Sequence, residues 1–510
     1  MKTYLVTAAA AGALAFVAGS AAAQKANDTI KITIQEGFPA LDPYNYPSNE
    51  AGQWSRDIYG RLTVYDEHKG QMIGELAKSW KKIDDRTIEF ELRDDINFSS
   101  GNKFTADDVK YTLEYVKDPA LNIRFKQRYT WYENLEVLSP TKVRLRAIEP
   151  RADDLELLAY RSIMFDKTIH EKLEDKATYG RTTASSTGAY KLVSIDRVGN
   201  LQITRNDETV KKFPHLRAPI KNIVGVPIPD RQTQIAQLLT GGVNVLSKAS
   251  PDMLVELAKN PNLAQTAFST RMLVFMTMDA AGRSDNKILT DVRIRQAVFK
   301  AIDREKIIKN FIPGADIAIR PDGIGFHDNI GYASSGKFIG YDPAGAKKLL
   351  AEAGYPNGFD IELGAYIPYK EITEAIAGDL RKVGIRASVN PLAQSVYVKL
   401  RGDGKLTTLV MEYPTFSQPN MINTMDLLFG GDRDYANDPL IKNVYDAGPK
   451  ILDDKKRAEL YRQAVDRINE QAFIYPLSEM PAVYVHSKDV EIKVGMTSIT
   501  EIRPGDYFWK

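Results

Sequence analysis

The 510-residue chain is predicted to be an α/β protein built from more than one domain. Short segments in which apolar and polar residues alternate are repeatedly followed by longer segments with apolar residues every three or four positions. This succession of strand and helix patterns is typical of layered α/β folds with partly parallel sheets. The chain is too long for one hydrophobic core, which indicates two or three domains, and its hydrophobic content of 43% is ordinary for a globular protein.

The first half of the chain is predicted to contain short strands and two clear helices. Thr105 is the expected N-cap of the first helix, because two aspartates fill its first turn and apolar residues line one face up to Val116. The second helix begins near Gln232 and is ended by Gly241. Strands are predicted at residues 28–35, 87–93 and 142–150, with further strand-like pieces between residues 189 and 226.

The second half alternates more regularly, which favours strand-helix-strand units. Gly354 and Gly384 are expected to end two of its helices. Helices are predicted at residues 293–311, 344–354, 371–384 and 455–473. Strands are predicted at residues 359–367, 386–392, 406–413, 474–477 and 482–486.

Residues 1–23 are predicted to be a cleaved secretory signal peptide. Lys2 gives a positive start, residues 4–19 are apolar, and Ala21 and Ala23 form a small-residue cleavage motif. A transmembrane anchor is the alternative, but the apolar segment is short and ends in small residues. The chain has no Cys, so a lipid-anchoring cysteine is absent, and we expect a free periplasmic protein that is stable without disulfides.

Composition excludes several classes of function. With 68 basic and 66 acidic side chains, the formal net charge is +2, which is not the basic excess of a nucleic-acid-binding protein. The five His are scattered without metal-binding spacing and there are no thiolates, so we expect neither a metal nor a cofactor. Outside the leader, no apolar run approaches the roughly 20 residues that cross a bilayer.

Two short motifs are typical of enzymes but lack the required context. GYASSGKF, residues 331–338, resembles a phosphate-binding loop, but it follows a Gly- and Pro-broken segment and has Phe in place of the Ser or Thr that holds Mg²⁺. Ser79 and Lys82 spell S-x-x-K and residues 284–286 spell S-D-N, two of three marks of penicillin-recognising serine enzymes. The third mark, K-T-G, is absent. We therefore expect no enzymatic activity, and a secreted serine acyl-enzyme is the alternative from another functional class.

Four segments carry motifs that occur together, in this order, in one family of transport proteins. Residues 75–115 contain A-x-S-W, a strand ending in L-R-D, then F-x-x-G and T-A-x-D-V. Residues 185–192 are similar to a G-T-G-P-Y segment, with Ala189 in place of Pro, and residues 291–307 contain R-x-A-x-x-x-A-I-D-R. Residues 341–385 match a helix-strand-helix segment. Together they resemble the family 5 extracellular solute-binding proteins of ABC transporters, the peptide- and nickel-binding group, over nearly the whole chain after the leader.

The resemblance implies a two-lobed, hinged periplasmic-binding-protein fold of type II. The implied first lobe comprises residues 24–270 and includes an extra subdomain at about residues 62–183. The implied second lobe comprises residues 271–479, and residues 480–510 return to the first lobe. These boundaries come from the family's architecture.

The resemblance also implies a receptor that closes around a solute. A ligand that contacts both lobes favours the closed form through its differential affinity. The closed form then docks on an inner-membrane ABC permease, whose ATPase subunits supply the energy. We expect a monomer that binds a small-molecule or peptide ligand, with a peptide preferred. An oligosaccharide, opine or other sugar-like solute held by aromatic side chains is the alternative.

Glu412 is the predicted anchor of a peptide amino group. Peptide binders of this family commonly hold that group on the Asp of a W-x-x-D-Y segment in the second lobe, and residues 409–414 match this segment. Glu412 takes the place of the Asp, and Leu409 takes the place of the Trp. An ammonium pairs strongly with a carboxylate inside a closed cleft of low dielectric constant. The side chain is one methylene longer than the family's Asp.

Six other side chains are predicted to contact the ligand. Aromatic faces offer contact area at little entropic cost, so Tyr and Trp residues suit a flat or sugar-like ligand. A basic and aromatic segment, residues 124–135, favours an anionic ligand instead, and this interpretation competes with the role of Glu412. The candidates are Tyr44, Tyr46 and Trp54 near the first lobe's loop, Trp131 in the extra subdomain, Phe416 in the loop after Glu412, and Arg433 as a partner for a ligand carboxylate.

Overall fold

A computed structural model describes most of the chain. Within the described ranges, no helix has both the length and the apolar character that a bilayer crossing requires. Residues 1–22 of the predicted signal peptide lie outside the described residues, as do Phe416 and residues 331 and 333–335 of the GYASSGKF stretch. The described residues are 23–34, 37–46, 49–66, 69, 71–121, 123, 126–181, 184–213, 215–326, 329, 332, 336–414, 420–494 and 502–510.

The chain forms two compact units. Unit 1 comprises Met1–Glu149, Asp154–Phe268 and Ala482–Lys510. Unit 2 comprises Pro150–Asp153 and Ser269–Pro481. The lobes implied by the resemblance divide at residues 270 and 479, two residues from these divisions, and the lobe boundaries stay predictions.

Strands and helices are distributed along the whole chain. The strands are β1 (Thr29–Ile34), β2 (Thr63–Asp66), β3 (Gln71–Gly74), β4 (Ala77–Asp84), β5 (Thr87–Leu92), β6 (Tyr132–Ser139), β7 (Lys142–Ala147), β8 (Tyr190–Ile195), β9 (Leu201–Arg205), β10 (Asn222–Pro227), β11 (Val245–Leu246), β12 (Leu263–Met278), β13 (Asp360–Tyr366), β14 (Arg386–Leu392), β15 (Thr408–Pro414), β16 (Ile474–Ser487), β17 (Val490–Ile492) and β18 (Tyr507–Trp509). The helices are α1 (Asn49–Ile58), α2 (Ala106–Lys117), α3 (Asp154–Arg161), α4 (Lys167–His170), α5 (Asp207–Lys212), α6 (Arg231–Leu239), α7 (Pro251–Leu257), α8 (Val292–Ala301), α9 (Arg304–Phe311), α10 (Pro343–Glu352), α11 (Lys370–Lys382), α12 (Gln394–Gly402), α13 (Met421–Phe429), α14 (Pro439–Ala447) and α15 (Asp454–Glu470).

Unit 1 contains a mixed sheet and a separate antiparallel sheet. The mixed sheet has the strand order β16-β11-β1-β10-β9-β8, and β1 runs parallel to β10 with Thr29 opposite Asn222. The antiparallel sheet has the order β4-β5-β7-β6 and lies within the range predicted for the extra subdomain. At the C-terminus, β17 pairs with β18, which places Trp509 in unit 1.

Two buried titratable side chains in unit 1 have shifted pKa values. His170 is fully buried, stacks on Phe165 with ring centroids 4.2 Å apart, and shares a hydrogen bond of 2.7 Å with the Tyr111 hydroxyl. Burial lowers the pKa of His170 to about 4. The carboxylate of Asp42 accepts the backbone N–H of Tyr44 at 2.9 Å, yet burial raises the pKa of Asp42 to about 6.

These two shifts predict opposite pH dependences of stability. Between pH 4 and 6.5 the unfolded state protonates His170 and the native state does not, so this residue makes the free energy of unfolding fall as pH falls. Between about pH 4 and 6 the native state holds the extra proton on Asp42, so this residue makes stability rise as pH falls. As the pH falls from 6.5 to 4, we expect the free energy of unfolding of His170→Gln to increase by about 3 kcal/mol relative to wild type. As the pH falls from 6 to 4, we expect that of Asp42→Asn to decrease by about the same amount relative to wild type.

Urea unfolding followed by tryptophan fluorescence measures this effect in the unit that contains both residues. All four Trp of the chain (Trp54, Trp80, Trp131 and Trp509) belong to unit 1, so the signal reports that unit. If the free energy of unfolding of both variants differs from that of wild type by a constant amount across pH 4 to 6.5, the pKa shifts assigned to His170 and Asp42 are wrong.

Unit 2 is built on a sheet with hydrophobic cores on both faces. The strand order is β14-β13-β15-β12-β16. Alternate residues of a strand point to opposite faces. Leu273 and Phe275 of β12 therefore join one core with Leu409, whereas Val274 joins a second core with Val410. A strand buried on both faces has the near-continuous apolar sequence that β12 and β15 show.

The prediction of one helix over residues 293–311 is wrong. The structure contains α8 and α9, which are separated at Ile302 and Asp303. The Asp303 side chain accepts the backbone N–H of Lys306 at 3.1 Å and begins the second helix. The apolar periodicity continues across the break because Val298, before it, and Ile307, after it, pack in the same core.

Candidate functional site

In unit 2, three parallel strands end at one edge of the sheet. β13 lies between β14 and β15 and runs parallel to both, with Asp360 opposite Arg386 and Gly364 opposite Leu409. The carboxyl ends of the three strands therefore meet at the same edge. In open α/β sheets this edge is where ligands usually bind.

Glu412 lies near the carboxyl end of β15. The preceding residues Leu409, Val410 and Met411 are buried, and Glu412, opposite Val274 of β12, is half-buried. The buried apolar run fixes the register of the strand, and the carboxylate emerges where this run ends. A carboxylate at this position is held on a rigid element of the sheet.

The Glu412 carboxylate accepts a hydrogen bond from the hydroxyl of Tyr369. Tyr369 belongs to the turn Ile367–Tyr369 that connects β13 to α11, and its ring lies in the core with 6% of its surface exposed. Burial and the nearby Glu412 charge raise the pKa of Tyr369 far above its ordinary value. The hydroxyl therefore keeps its proton and acts as the donor.

Two further tyrosines complete a group that we call the Glu412 cluster: Glu412, Tyr366, Tyr369 and Tyr397. Tyr366 is the last residue of β13, and Tyr397 lies in α12, which follows β14. The ring of Tyr366 lies 6.1 Å from that of Tyr369 and 5.3 Å from that of Tyr397. Burial raises the pKa of Tyr397 to about 12, so it stays neutral. The arrangement is a carboxylate beside neutral aromatic rings, which suits an organic cation.

The three tyrosines of the Glu412 cluster were not predicted from the sequence. A signal was available, because strands 359–367, 386–392 and 406–413 were each expected and a helix was expected between the first two. Residues that directly follow such strands meet at one sheet edge. This rule applied to the expected strands points to the turn that holds Tyr369.

Arg433 makes local contacts within unit 2. Its Nε donates to the Gly430 carbonyl at 3.0 Å, and its Nη2 lies 3.4 Å from the Asp426 carboxylate. The guanidinium thus ties the turn Gly431–Arg433 to α13. Its pairing with a ligand carboxylate stays a prediction.

Tyr44 lies inside unit 1. Its ring is fully buried and packs edge-on against Tyr129 and Phe165, with centroids 5.2 Å and 5.3 Å away. Its hydroxyl donates to the Ile163 carbonyl at 2.7 Å. Tyr46, two residues on, is half-buried. The predicted stacking of both rings on a ligand stays a prediction.

Trp54 and Trp131 also belong to the hydrophobic core of unit 1. Trp54 lies on α1 with 4% of its surface exposed, and its ring is 6.2 Å from that of Phe38. Trp131 precedes β6 and packs edge-on against Tyr132 at 5.3 Å. Phe416 lies outside the described residues. The roles predicted for these three side chains in ligand binding are untested.

The serine-enzyme motifs have structural surroundings that do not support catalysis. Ser79 and Lys82 both lie on strand β4, and residues three apart on a strand point to opposite faces. Ser284 is buried, and its hydroxyl donates to the Asn286 carbonyl at 3.2 Å. Within the part of the chain that the structure describes, no group of three His, Cys, Asp or Glu side chains is arranged to hold a metal ion.

Sequence comparisons give one family and a set of distant relatives. The family model described as "Bacterial extracellular solute-binding proteins, family 5 Middle" matches residues 71–436. The glutathione-binding protein GsiB of Escherichia coli (strain K12) is 27% identical over 498 residues, which cover 90% of this chain and 91% of that protein. GsiB of Shigella flexneri matches with the same identity and coverage.

Solved structures of low sequence identity share the fold. The dipeptide binding protein from Pseudoalteromonas sp. SM9913, in complex with Met-Leu, matches with a TM-score of 0.79 and 20% identity over 94% of this chain and 100% of that chain. NikA from Brucella suis, in complex with Fe(III)-EDTA, matches with a TM-score of 0.80 and 22% identity over 94% and 100% of the two chains. These matches confirm the predicted two-lobed α/β fold class of periplasmic binding proteins.

Proposed function

Because the chain belongs to the family 5 bacterial extracellular solute-binding proteins, we propose that it is the receptor of an ABC importer for short peptides. The receptor captures a peptide by its free amino group and delivers it to an inner-membrane permease. ATPase subunits on that permease supply the energy. The family is described as extracellular, and we place this receptor in the periplasm after removal of residues 1–23.

The observation that carries the peptide assignment is the Glu412 carboxylate at the edge where three parallel strands end. Its hydrogen bond from Tyr369 holds the acid in place before a ligand arrives. A fixed carboxylate beside neutral tyrosines offers an ammonium group both a charge partner and ring faces. A peptide N-terminus or the free amino group of glutathione supplies this ammonium.

The relatives support a ligand of this kind. GsiB, which matches over 90% of this chain, is named for glutathione, a tripeptide-like thiol with a free α-amino group. Binding proteins of this family are receptors and not enzymes, in agreement with the absence of a K-T-G motif from this sequence. We therefore place short peptides, with glutathione among them, first in the order of candidate ligands.

Ligand binding drives closure of the receptor through differential affinity. A solute that interacts more favourably with the closed receptor shifts the population towards that form. A dissociation constant near 1 μM corresponds to about −8 kcal/mol, and part of the gross interaction energy offsets the ordering of the ligand and side chains. The permease then recognises the closed form.

Native mass spectrometry of the purified mature protein, before and after denaturation, tests the proposal. We expect short peptides to be released on denaturation. Isothermal titration with reduced glutathione, di-, tri- and tetrapeptides, an opine and an oligosaccharide then gives dissociation constants, and at least one peptide is expected to bind with a constant of about 1 μM or below. Release and binding of only the opine or the sugar contradicts the peptide assignment and leaves the receptor role in place.

A further inference from the structure

Tyr369 is fixed at both ends within unit 2. Its backbone carbonyl accepts the Thr373 hydroxyl at 2.7 Å, one turn into α11, and its ring is buried in the core. The hydroxyl at the far end of the ring reaches Glu412. The donor therefore has little freedom of its own, and the position of the tyrosine determines where one oxygen of the carboxylate lies.

Glu412 is one methylene longer than the Asp of related peptide binders. This extra length explains how the hydrogen bond from Tyr369 can contribute to binding. A longer side chain has one more rotatable bond, whose freedom is lost when the carboxylate pairs with a ligand. A hydrogen bond made in the unliganded protein removes that freedom in advance, so less affinity is lost on binding. A donor to the ionised form also favours the ionised form.

We propose that Tyr369 is the positioning residue of the amino-group anchor: it fixes the Glu412 carboxylate in its ionised form and thereby selects solutes with a free ammonium group. This inference rests on the proposed function, since it assigns a role to the same site. A quaternary or acylated nitrogen has no N–H⁺ donor to match the fixed carboxylate. The selected class is therefore protonated amines that carry at least one N–H⁺.

The groups that influence Tyr369 and Tyr397 electrostatically do not obscure a titration of Glu412. They are Tyr366, Arg401 and Glu412, and Tyr397 also acts on Tyr369. Burial lowers the pKa of Arg401 only to about 10, and burial raises the pKa values of Tyr369 and Tyr397, so these three groups keep their charge state at neutral pH. The resonance that Glu412→Gln removes therefore identifies the titration of the Glu412 carboxyl directly.

The first test is the pKa of Glu412 in the ligand-free protein. Glutamate labelled with carbon-13 at its side-chain carboxyl gives a resonance that disappears in Glu412→Gln and is thereby assigned. In Tyr369→Phe we expect the pKa of Glu412 to rise by about half to one unit, because the carboxylate loses a donor. Tyr435→Phe is the matched control, since it removes a buried hydroxyl that donates to the Arg401 carbonyl at 2.9 Å in the same unit. The control leaves the Glu412 pKa unchanged.

The second test is affinity, with the dipeptide Met-Leu and reduced glutathione as probes. Tyr369→Phe is expected to weaken binding about 10-fold and to move the acid limb of the affinity profile to higher pH. Glu412→Asp restores the residue that is common in related peptide binders, yet it withdraws the carboxylate from the Tyr369 hydroxyl. We expect it to weaken binding as well, by about 10-fold. This second variant keeps the inference testable if Tyr369→Phe does not fold.

The outcomes separate this inference from the proposed function. An unchanged Glu412 pKa in Tyr369→Phe, or equal affinities in Glu412→Asp and wild type, overturns the positioning role. If neither probe nor any peptide binds, or if Glu412→Gln binds as tightly as wild type, the peptide anchor is wrong. The carboxyl titration still decides in that case whether Tyr369 controls Glu412.

Discussion

Replacing Arg503 with alanine is expected to lower the free energy of unfolding of unit 1 by about 3–5 kcal/mol. Asp57, at the end of α1, is fully buried, and one of its oxygens accepts hydrogen bonds from Nε and Nη2 of Arg503, the Nε bond being 3.0 Å long. The other oxygen accepts the backbone N–H of Gly505 at 2.9 Å. Without Arg503 a buried carboxylate keeps only one of these donors, and burial of an uncompensated charge is strongly unfavourable.

The same pair connects the C-terminal segment to the rest of unit 1. Asp57 and Arg503 are 446 positions apart in sequence, and Trp509 follows on β18. We therefore expect Trp509 to become more exposed in Arg503→Ala even below the urea concentration at which unit 1 unfolds. Asp57→Asn keeps the shape and removes the negative charge. It should be less harmful than Arg503→Ala, because the charge left without its partner is then on Arg503, whose side chain is 19% exposed, and not on the fully buried Asp57.

Urea unfolding followed by tryptophan fluorescence measures the change in unit 1. Lys110→Ala is the control, since Lys110 and Glu114 form an exposed pair on α2 in the same unit, with side chains 45% and 61% exposed. Such pairs contribute about 0.3–0.5 kcal/mol on a helix. Equal midpoints for Arg503→Ala and Lys110→Ala contradict the assigned role of the buried pair.

Local sequence patterns predicted the positions of one strand and one helix of unit 2 correctly. The strand predicted at residues 386–392 is β14 itself, and the helix predicted at residues 371–384 is α11, which ends at Lys382. Each has the period of its own secondary structure and a Gly where the chain turns. These are properties of a few consecutive residues.

Contacts between residues far apart in the sequence explain why the strand prediction near residue 480 is wrong. Residues 474–477 and 482–486 were predicted as two short strands, but β16 runs unbroken from Ile474 to Ser487. Ser478 and Glu479 are buried inside it, and the backbone N–H of Glu479 donates to the Ile319 carbonyl at 3.0 Å. Their hydrogen-bond partner is 160 residues away along the chain, so no local pattern reveals it.

The candidate site was predictable only in part for a similar reason. Glu412 was found from a resemblance between motifs. The expected strands point to the turn that holds Tyr369, but its contact with Glu412 follows from the parallel pairing of β13 with β15, which the structure supplies. An aromatic side chain suits a ligand wall and a core equally, and tertiary contacts alone distinguish them. Trp54 is enclosed by unit 1, for example, next to Gly225, where an added Cβ would lie 3.2 Å from the indole ring.

Glu412→Gln is expected to weaken binding of a peptide with a free amino group by about 100-fold. The amide keeps the size of the side chain and can still accept the Tyr369 hydroxyl, so only the charge is lost. Removing one partner of a desolvated charge pair typically costs about 2–5 kcal/mol of binding free energy, of which about 2.7 kcal/mol is a factor of 100. Isothermal titration at pH 7 with the tightest-binding peptide of the panel measures the ratio.

An N-acetylated form of the same peptide makes the result specific to the ammonium. It carries no charge at its N-terminus, so wild type and Glu412→Gln should bind it equally weakly. Glu362→Gln is the matched control, because this exposed acid lies on the neighbouring strand β13 and accepts the Asn390 amide at 3.0 Å. We expect it to change neither affinity.

A peptide that binds Glu412→Gln as tightly as wild type would show that its amino group lies elsewhere. Membership of the solute-binding family would be unaffected, since it rests on the match over residues 71–436 and not on one acid. If Glu412→Gln loses the same affinity for the acetylated peptide, the amide disturbs the structure of the Glu412 cluster. The hydrogen bond from Tyr369 is then the contact to examine first. Only a loss confined to the free amine identifies Glu412 as the anchor, because charge is then the one property that differs.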